Sequence, residues 1–198
     1  MKLPKSFYQR DNVVLIAREL LGKYIHSKID GELCVARITE VEAYSGMNDK
    51  ACHANNGVRT RRTEVMYGEG GYAYVYLCYG IHHLFNVVTN VQNKADAVLI
   101  RAVEPIDGVD VMLKRRRRNK LDKTLCSGPG TLTQALGIKT SIHYGSWLLG
   151  NDIWIENASD LKDSEIVSST RIGVDYAEED ALKPWRFYIK DSQWISKK

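Results

Sequence analysis

Apolar residues recur with helical spacing at Val13, Val14, Ile16, Ala17, Leu20 and Leu21. Asp11 precedes them as a cap and Gly22 follows, so the chain is expected to open with a helix. The pattern then becomes extended. Tyr24 to Ile29 and Glu32 to Tyr44 predict two strands joined at Asp30-Gly31, a hairpin signal. Ser45 to Glu64 is long, polar and rich in Gly, Asn and Arg. Irregular segments of that length in a compact domain are usually functional. A turn at residues 68–71 leads into a strand from Tyr72 to Cys78, a turn at Tyr79-Gly80, and a strand around Leu84 to Thr89. Ala97 to Val103 is a further strand, which Pro105 is expected to end. Asp107 to Asn119 and Thr131 to Leu136 predict helices, the second after Ser127-Gly128-Pro129-Gly130. Shorter strands fit Asp152 to Glu156, Glu165 to Ile172 and Arg186 to Ile189. The expected fold is α+β: one domain over residues 1–198, with a curved, mostly antiparallel sheet, a protruding β-hairpin and several packed helices.

Composition supports a folded domain. The 198 residues are 44% hydrophobic and 26% charged, which excludes a largely disordered chain. No run approaches the ~18 apolar residues of a membrane span. The start, MKLPKSFYQRD, lacks the apolar centre of a secretory signal. The default expectation is a cytoplasmic monomer, nucleoid-associated if bacterial. Cys34, Cys52, Cys78 and Cys126 are widely spread without a C-x-x-C pair, which reads as free thiols. Cys52-His53 and His82-His83 leave a zinc hydrolase as an alternative, although structural ligand spacing is missing.

The overall charge of +4 is unevenly distributed. Residues 114–123 carry seven basic side chains against Asp122, a local +6 that leaves the remaining chain at −2. Arg59, Arg61 and Arg62 form a second cluster. Basic clusters attract phosphate, whereas a lone basic run is as well explained by a solvated helix face. Arg59, Arg62, Arg115, Arg116 and Arg117 are the candidate contacts to a nucleic-acid backbone.

Two patterns point to chemistry. Strand alternation places Glu40, Glu42 and Tyr44 on one face of Ile38 to Tyr44, just before the long polar loop. Two carboxylates are costly if that face is buried, and Arg101, itself within an apolar strand, is a candidate partner. Tyr72, Tyr74 and Tyr76 share another strand face, with Tyr79 at the following turn. Such a ladder serves packing, or stacking on bases and wedging into a duplex.

The run Glu40-Val41-Glu42-Ala43-Tyr44 followed by Ala51-Cys52-His53 resembles the E-x-E-A-Y…A-x-H signature of alkyladenine, or methylpurine, DNA glycosylases. The similarity continues in order through Arg59-Thr60-x-Arg62, Tyr74-Val75-Tyr76-x-x-Tyr79-Gly80, Phe85-Asn86 and Leu99-Ile100-Arg101-Ala102-x-Glu104-Pro105. It extends to Leu125-Cys126-Ser127-Gly128-Pro129, Arg171-Ile172-Gly173-Val174 and Lys183-Pro184-x-Arg186-Phe187-Tyr188. The order of these blocks over nearly the whole chain carries the resemblance.

That resemblance implies a monofunctional enzyme of base-excision repair. It would flip 3-methyladenine, 7-methylguanine or hypoxanthine out of duplex DNA and hydrolyse the N-glycosidic bond, without metal, other cofactor or obligate protein partner. By position it implies Glu42 and Arg101 as the catalytic pair, Tyr44, His53, Tyr76 and Asn86 as the base pocket, and Tyr79 as the intercalating wedge. The alternative from another class is an inactive nucleic-acid-binding module with the same fold.

Overall fold

The computed structural model describes residues 1–197. Eight strands form one sheet, and every ladder among the described residues is antiparallel. The strands are β1 (Tyr24–Ile29), β2 (Glu32–Tyr44), β3 (Ala73–Cys78), β4 (His82–Thr89), β5 (Asp96–Asp107), β6 (Ile153–Glu156), β7 (Ile166–Ser169) and β8 (Arg186–Ile189). The path runs β3-β4-β5-β2-β1-β6, while β8 joins β2 and β7. β2 is the hinge of this arrangement. It keeps β5 on one edge, and on the other it pairs first with β1 and then, at Glu40–Glu42, with β8.

The helices are α1 (Lys5–Tyr8), α2 (Val13–Leu20), α3 (Val109–Arg116), α4 (Pro129–Leu136) and α5 (Thr140–His143). Ile16, Ala17 and Leu20 of α2, with Leu132, Ala135 and Leu136 of α4, bury against one face of the sheet. That face supplies Val41, Ala43, Val75, Phe85, Val87, Val98 and Ile100, the alternate residues of four strands. The opposite face carries Glu42, Tyr44, Tyr74, Tyr76 and Asn86.

Several boundaries differ from those expected. Asn12 rather than Asp11 caps α2, its Oδ1 accepting from Leu15 N–H at 2.9 Å. β5 continues through Pro105 to Asp107. α3 is shorter than expected because Gly108 and Arg117 flank it in left-handed conformation. Pro129 fits the first turn of α4, where its missing N–H costs nothing, so this helix starts before Thr131.

The two strands that carry the acidic residues also change phase. Ile38 faces Val103 and Glu40 faces Ala102, so Thr39 is an extra residue in β2; Val41 then faces Ile100, which makes Arg101 the extra residue in β5. Apolar side chains reach the core from Cys34, Ala36 and Ile38 before this shift and from Val41 and Ala43 after it. A register shift of this kind re-aims side chains. Here it turns Glu40 away from the core face that Ile38 occupies.

Candidate active site

One row of register partners crosses four strands: Glu42 of β2, Leu99 of β5, Asn86 of β4 and Tyr74 of β3. Leu99, Asn86 and Tyr74 of this row floor a cavity of about 390 Å³. Aromatic walls rise from neighbouring positions. Tyr74 and Tyr76 stack with centroids 5.3 Å apart, and His53 meets Tyr76 edge-on at 4.8 Å.

Glu42 is fully buried immediately behind this floor. Its Oε2 accepts from Tyr44 Oη at 2.7 Å and from Arg101 Nη1 at 3.2 Å, and its Oε1 accepts from the Ile172 backbone N–H at 2.8 Å. All three donor residues line the cavity. Burial and the adjoining Glu42 carboxylate push the Tyr44 phenol well above its ordinary pKa, so it remains a donor. Burial works against the charge on Arg101, but the Glu42 and Glu40 carboxylates outweigh it and raise the guanidinium pKa.

The long segment after β2 is ordered and folds over this face. The Gly46 N–H reaches Asp96 Oδ1 at 2.8 Å, and a β-carbon on Gly46 would lie 2.8 Å from the Ala95 carbonyl oxygen. Only glycine allows that approach. Arg171 clamps Asp49 with two bonds of 2.6 Å and lies 4.8 Å over the Tyr44 ring. This clamp brings His53 over the floor, where Nδ1 lies 2.9 Å from Tyr74 Oη. Burial, and then the Arg62 charge, lower the His53 pKa to about 4. The ring is therefore neutral at neutral pH.

Asn86 is buried, with Nδ2 donating to the carbonyls of Tyr74 at 3.0 Å and Leu84 at 3.4 Å. Two carbonyls accept only, so they fix which end of the amide faces them. Tyr79 stands at the tip of the β3–β4 hairpin, beside the cavity mouth, with 91% of its surface exposed. Its φ is +51° and that of Gly80 +73°, with Ile81 N–H on the Cys78 carbonyl at 3.2 Å. The first central position of such a turn favours Asn, Asp or Gly. A tyrosine there is strained and has almost nothing to pack against.

The basic residues divide. Arg59 pairs with Glu64, and Arg62 lies 5.8 Å from the Tyr76 ring. Arg115 donates to the Ile29 and Ala135 carbonyls, and Arg116 to Leu125 O and Gln134 Oε1. Both hold α3 against its neighbours. Arg117 and Arg118 are exposed. Arg118 and Lys123 line a groove shared with Lys197, and Thr131 borders both this groove and the cavity. Cys52 is buried in the loop's own cluster, and burial pushes its thiol up to about 12. His83 Nδ1 accepts from Thr140 N–H at 3.1 Å. Among the described residues no group of three or more His, Cys, Asp or Glu side chains is arranged to hold a metal ion.

The sequence profile of methylpurine-DNA glycosylases matches residues 6–193. The chain belongs to the methylpurine-DNA glycosylase family. It is 45% identical over 197 residues to a protein of Natranaerobius thermophilus, covering 99% of both chains. It is 46% identical over 205 residues to one of Alkaliphilus oremlandii, covering 100% of both, and 43% identical to one of Methanocella arvoryzae over 99% of this chain and 96% of the other. Each relative is provisionally named a 3-methyladenine DNA glycosylase. Membership makes this chain a DNA-repair hydrolase of the glycosylase class, with DNA as its substrate. No helix among the described residues is long and apolar enough to cross a membrane.

Residues that the motif reading left without a role complete the site. Asp49 and Arg171 fix the loop, and Ile172 gives Glu42 a backbone donor. Glu40 lies buried between Arg101 and Arg186. The signal available in sequence was two arginines, Arg171 and Arg186, placed in otherwise mixed strands and loops without an obvious solvent face.

Proposed function

We propose that the protein removes alkylated and deaminated purines, among them 3-methyladenine, 7-methylguanine and hypoxanthine, from duplex DNA as a monofunctional glycosylase that starts base-excision repair. The observation that carries this reading is the Glu42 carboxylate, held by three donors behind an aromatic cavity wide enough for a purine. Oε2 receives two donors and Oε1 only the Ile172 N–H. Each carboxylate oxygen has two lone pairs, so Oε1 retains one for water.

In the proposed reaction that water attacks C1′ of the flipped nucleotide and passes a proton to Glu42. The C1′–N bonding pair leaves with the purine, giving free base and an abasic sugar. Positive charge develops on the sugar, as in glycoside hydrolysis, and the nearby carboxylate stabilises it. Arg101 orients the carboxylate. A cationic alkylpurine leaves as a neutral base and gains from the aromatic walls of Tyr44, Tyr76 and His53. Hypoxanthine, neutral when bound, leaves with the bonding pair as an anion, which neutral His53 stabilises by a hydrogen bond rather than a proton, and it takes up a proton from solvent once released. Asn86, its amide fixed by two backbone carbonyls, meets the flipped base at the cavity floor. Tyr79 fills the gap left in the duplex, which offsets the few kcal/mol that flipping costs. Arg59, Arg62, Arg117 and Arg118 meet the phosphate backbone of DNA bound by a monomer, with Arg115 and Arg116 holding α3 and adding their positive charge behind them.

The test is release of free base from duplexes containing 3-methyladenine or hypoxanthine. Release with an intact abasic strand is expected, insensitive to borohydride trapping. Tight binding of lesion DNA without release would instead identify a binding module.

A further inference from the structure

Trp194 to Lys197, four of the five residues that follow the segment matching the family profile, lie beyond its last residue, 193. They are nonetheless built into the site. Trp194 is buried in the main core, and its carbonyl accepts from Thr39 Oγ1 at 2.5 Å. The Lys197 carbonyl accepts from Arg186 Nη2 at 2.6 Å. Between them Ser196 gives Glu40 two bonds, from its N–H to Oε2 at 2.5 Å and from its hydroxyl to Oε1 at 2.8 Å. The same hydroxyl accepts from Arg101 Nη2 at 3.3 Å.

Each nitrogen of Arg101 thus has its own partner: Nε on Glu40 at 3.2 Å, Nη1 on Glu42 at 3.2 Å, and Nη2 on Ser196. An arginine beside a single carboxylate prefers to grip both oxygens with its fork. Here Glu40 and Ser196 turn the fork so that only one nitrogen reaches Glu42. The second Glu42 oxygen keeps an open lone pair.

We propose that Ser196 and Glu40 are positioning residues, through which the C-terminal strap fixes the fork of Arg101 and leaves Glu42 Oε1 a lone pair for the attacking water. The inference rests on the glycosylase reading above. Without the strap's hydroxyl the fork is free to rotate onto Glu42 and occupy the oxygen the water needs. The aromatic walls and the floor of the lesion pocket, Tyr44, Tyr76, His53, Tyr74 and Asn86, are untouched by this change, so binding and chemistry should separate.

Single-turnover base release with enzyme in saturating excess reads the chemical step independently of the active fraction. Ser196→Ala should lower its maximal rate constant by about tenfold, the range of one hydrogen bond to a charged group. The enzyme concentration at half-maximal rate should stay at the wild-type value, and Tm should fall by only a few degrees, because the Ser196 N–H, Arg101 and Arg186 still hold Glu40. Ser196→Thr, which retains the hydroxyl, should restore the rate to within about threefold, and Glu40→Gln should lose more than Ser196→Ala. An unchanged rate constant in Ser196→Ala beside an active wild type overturns the strap's role. So does an equal loss of rate in the Ala and Thr variants, which would make the hydroxyl irrelevant. An inactive wild type sinks the glycosylase reading itself.

Discussion

Arg101 occupies the register shift of β5, and from there its Nη1 reaches Glu42 Oε2 at 3.2 Å. In unbroken alternation Arg101 would sit opposite a residue of β2. As the unpaired residue between Ala102 and Ile100 it leans instead between Glu40 and Glu42, and touches both. Charge burial explains why the arrangement is tightly specified. Glu40, Glu42 and Asp49 are wholly buried, with Arg101, Arg171 and Arg186 against them. Buried charges of this kind stabilise only as complete sets, and removal of one partner is expensive.

The Asp49–Arg171 clamp makes that cost measurable. Arg171→Leu leaves Asp49 buried without its cation and frees the loop that carries His53. Thermal unfolding should show a loss of about 3–5 kcal/mol, roughly 10 °C in Tm for a chain of this size. A change below 2 °C would mean that the loop is held by other contacts.

Tyr79 should show opposite signs in stability and activity. Its left-handed backbone is strained for a tyrosine and its ring packs on nothing, so Tyr79→Gly should preserve stability or raise it by up to about 1 kcal/mol. Base release should nevertheless fall, most for hypoxanthine, which is paired and neutral. Equal loss across lesions would detach Tyr79 from flipping.

The His53 ring has its folded pKa lowered to about 4 from an ordinary 6.5. Between those values the unfolded chain binds a proton that the folded chain does not. His53 therefore contributes a stability that rises as pH climbs from 4 to 6.5 and is level above. Burial lowers His26, His83 and His143 in the same direction, so the effect of His53 is read as the difference from His53→Gln. Imidazole NMR titration should place the inflection of His53 near pH 4. An inflection near 6.5 would make it an acid at work in neutral solution.

In the basic run, Arg117→Ala and Arg118→Ala should each reduce the slope of log affinity against log salt by about 1, without altering lesion preference. Arg115→Ala should lower Tm, by about 1–3 kcal/mol in stability, because the Ile29 and Ala135 carbonyls lose their donor. A changed ratio of lesions in Arg117→Ala would place that residue at the pocket.

Much of this organisation was legible from the chain. Alternation in Tyr72 to Cys78 and in Ile38 to Tyr44 located the strands that build the cavity, and the Tyr79-Gly80 pair located the hairpin tip. The shift between Glu40 and Ala102 was written there too, in apolar positions that move from Cys34, Ala36 and Ile38 to Val41 and Ala43. Simple period-two reading passes over such a change of phase. Contacts between distant segments left no local trace. Nothing near Ser196 announces that its hydroxyl meets Glu40, and nothing near Asp49 names Arg171 as its partner, because tertiary packing alone brings them together. Short helices such as Lys5–Tyr8 and Thr140–His143 carry too few periodic positions to declare themselves.

The most direct measurement is single-turnover release of hypoxanthine from duplex DNA by the wild type and by Glu42→Gln, with lesion-DNA affinity measured in parallel. The side chain keeps its shape while losing the base that takes the proton from water. Release by the wild type is expected, with a loss of at least about 1,000-fold in the variant and affinity within a few-fold of wild type. Equal release by both proteins would contradict it and move the catalytic group elsewhere in the cavity.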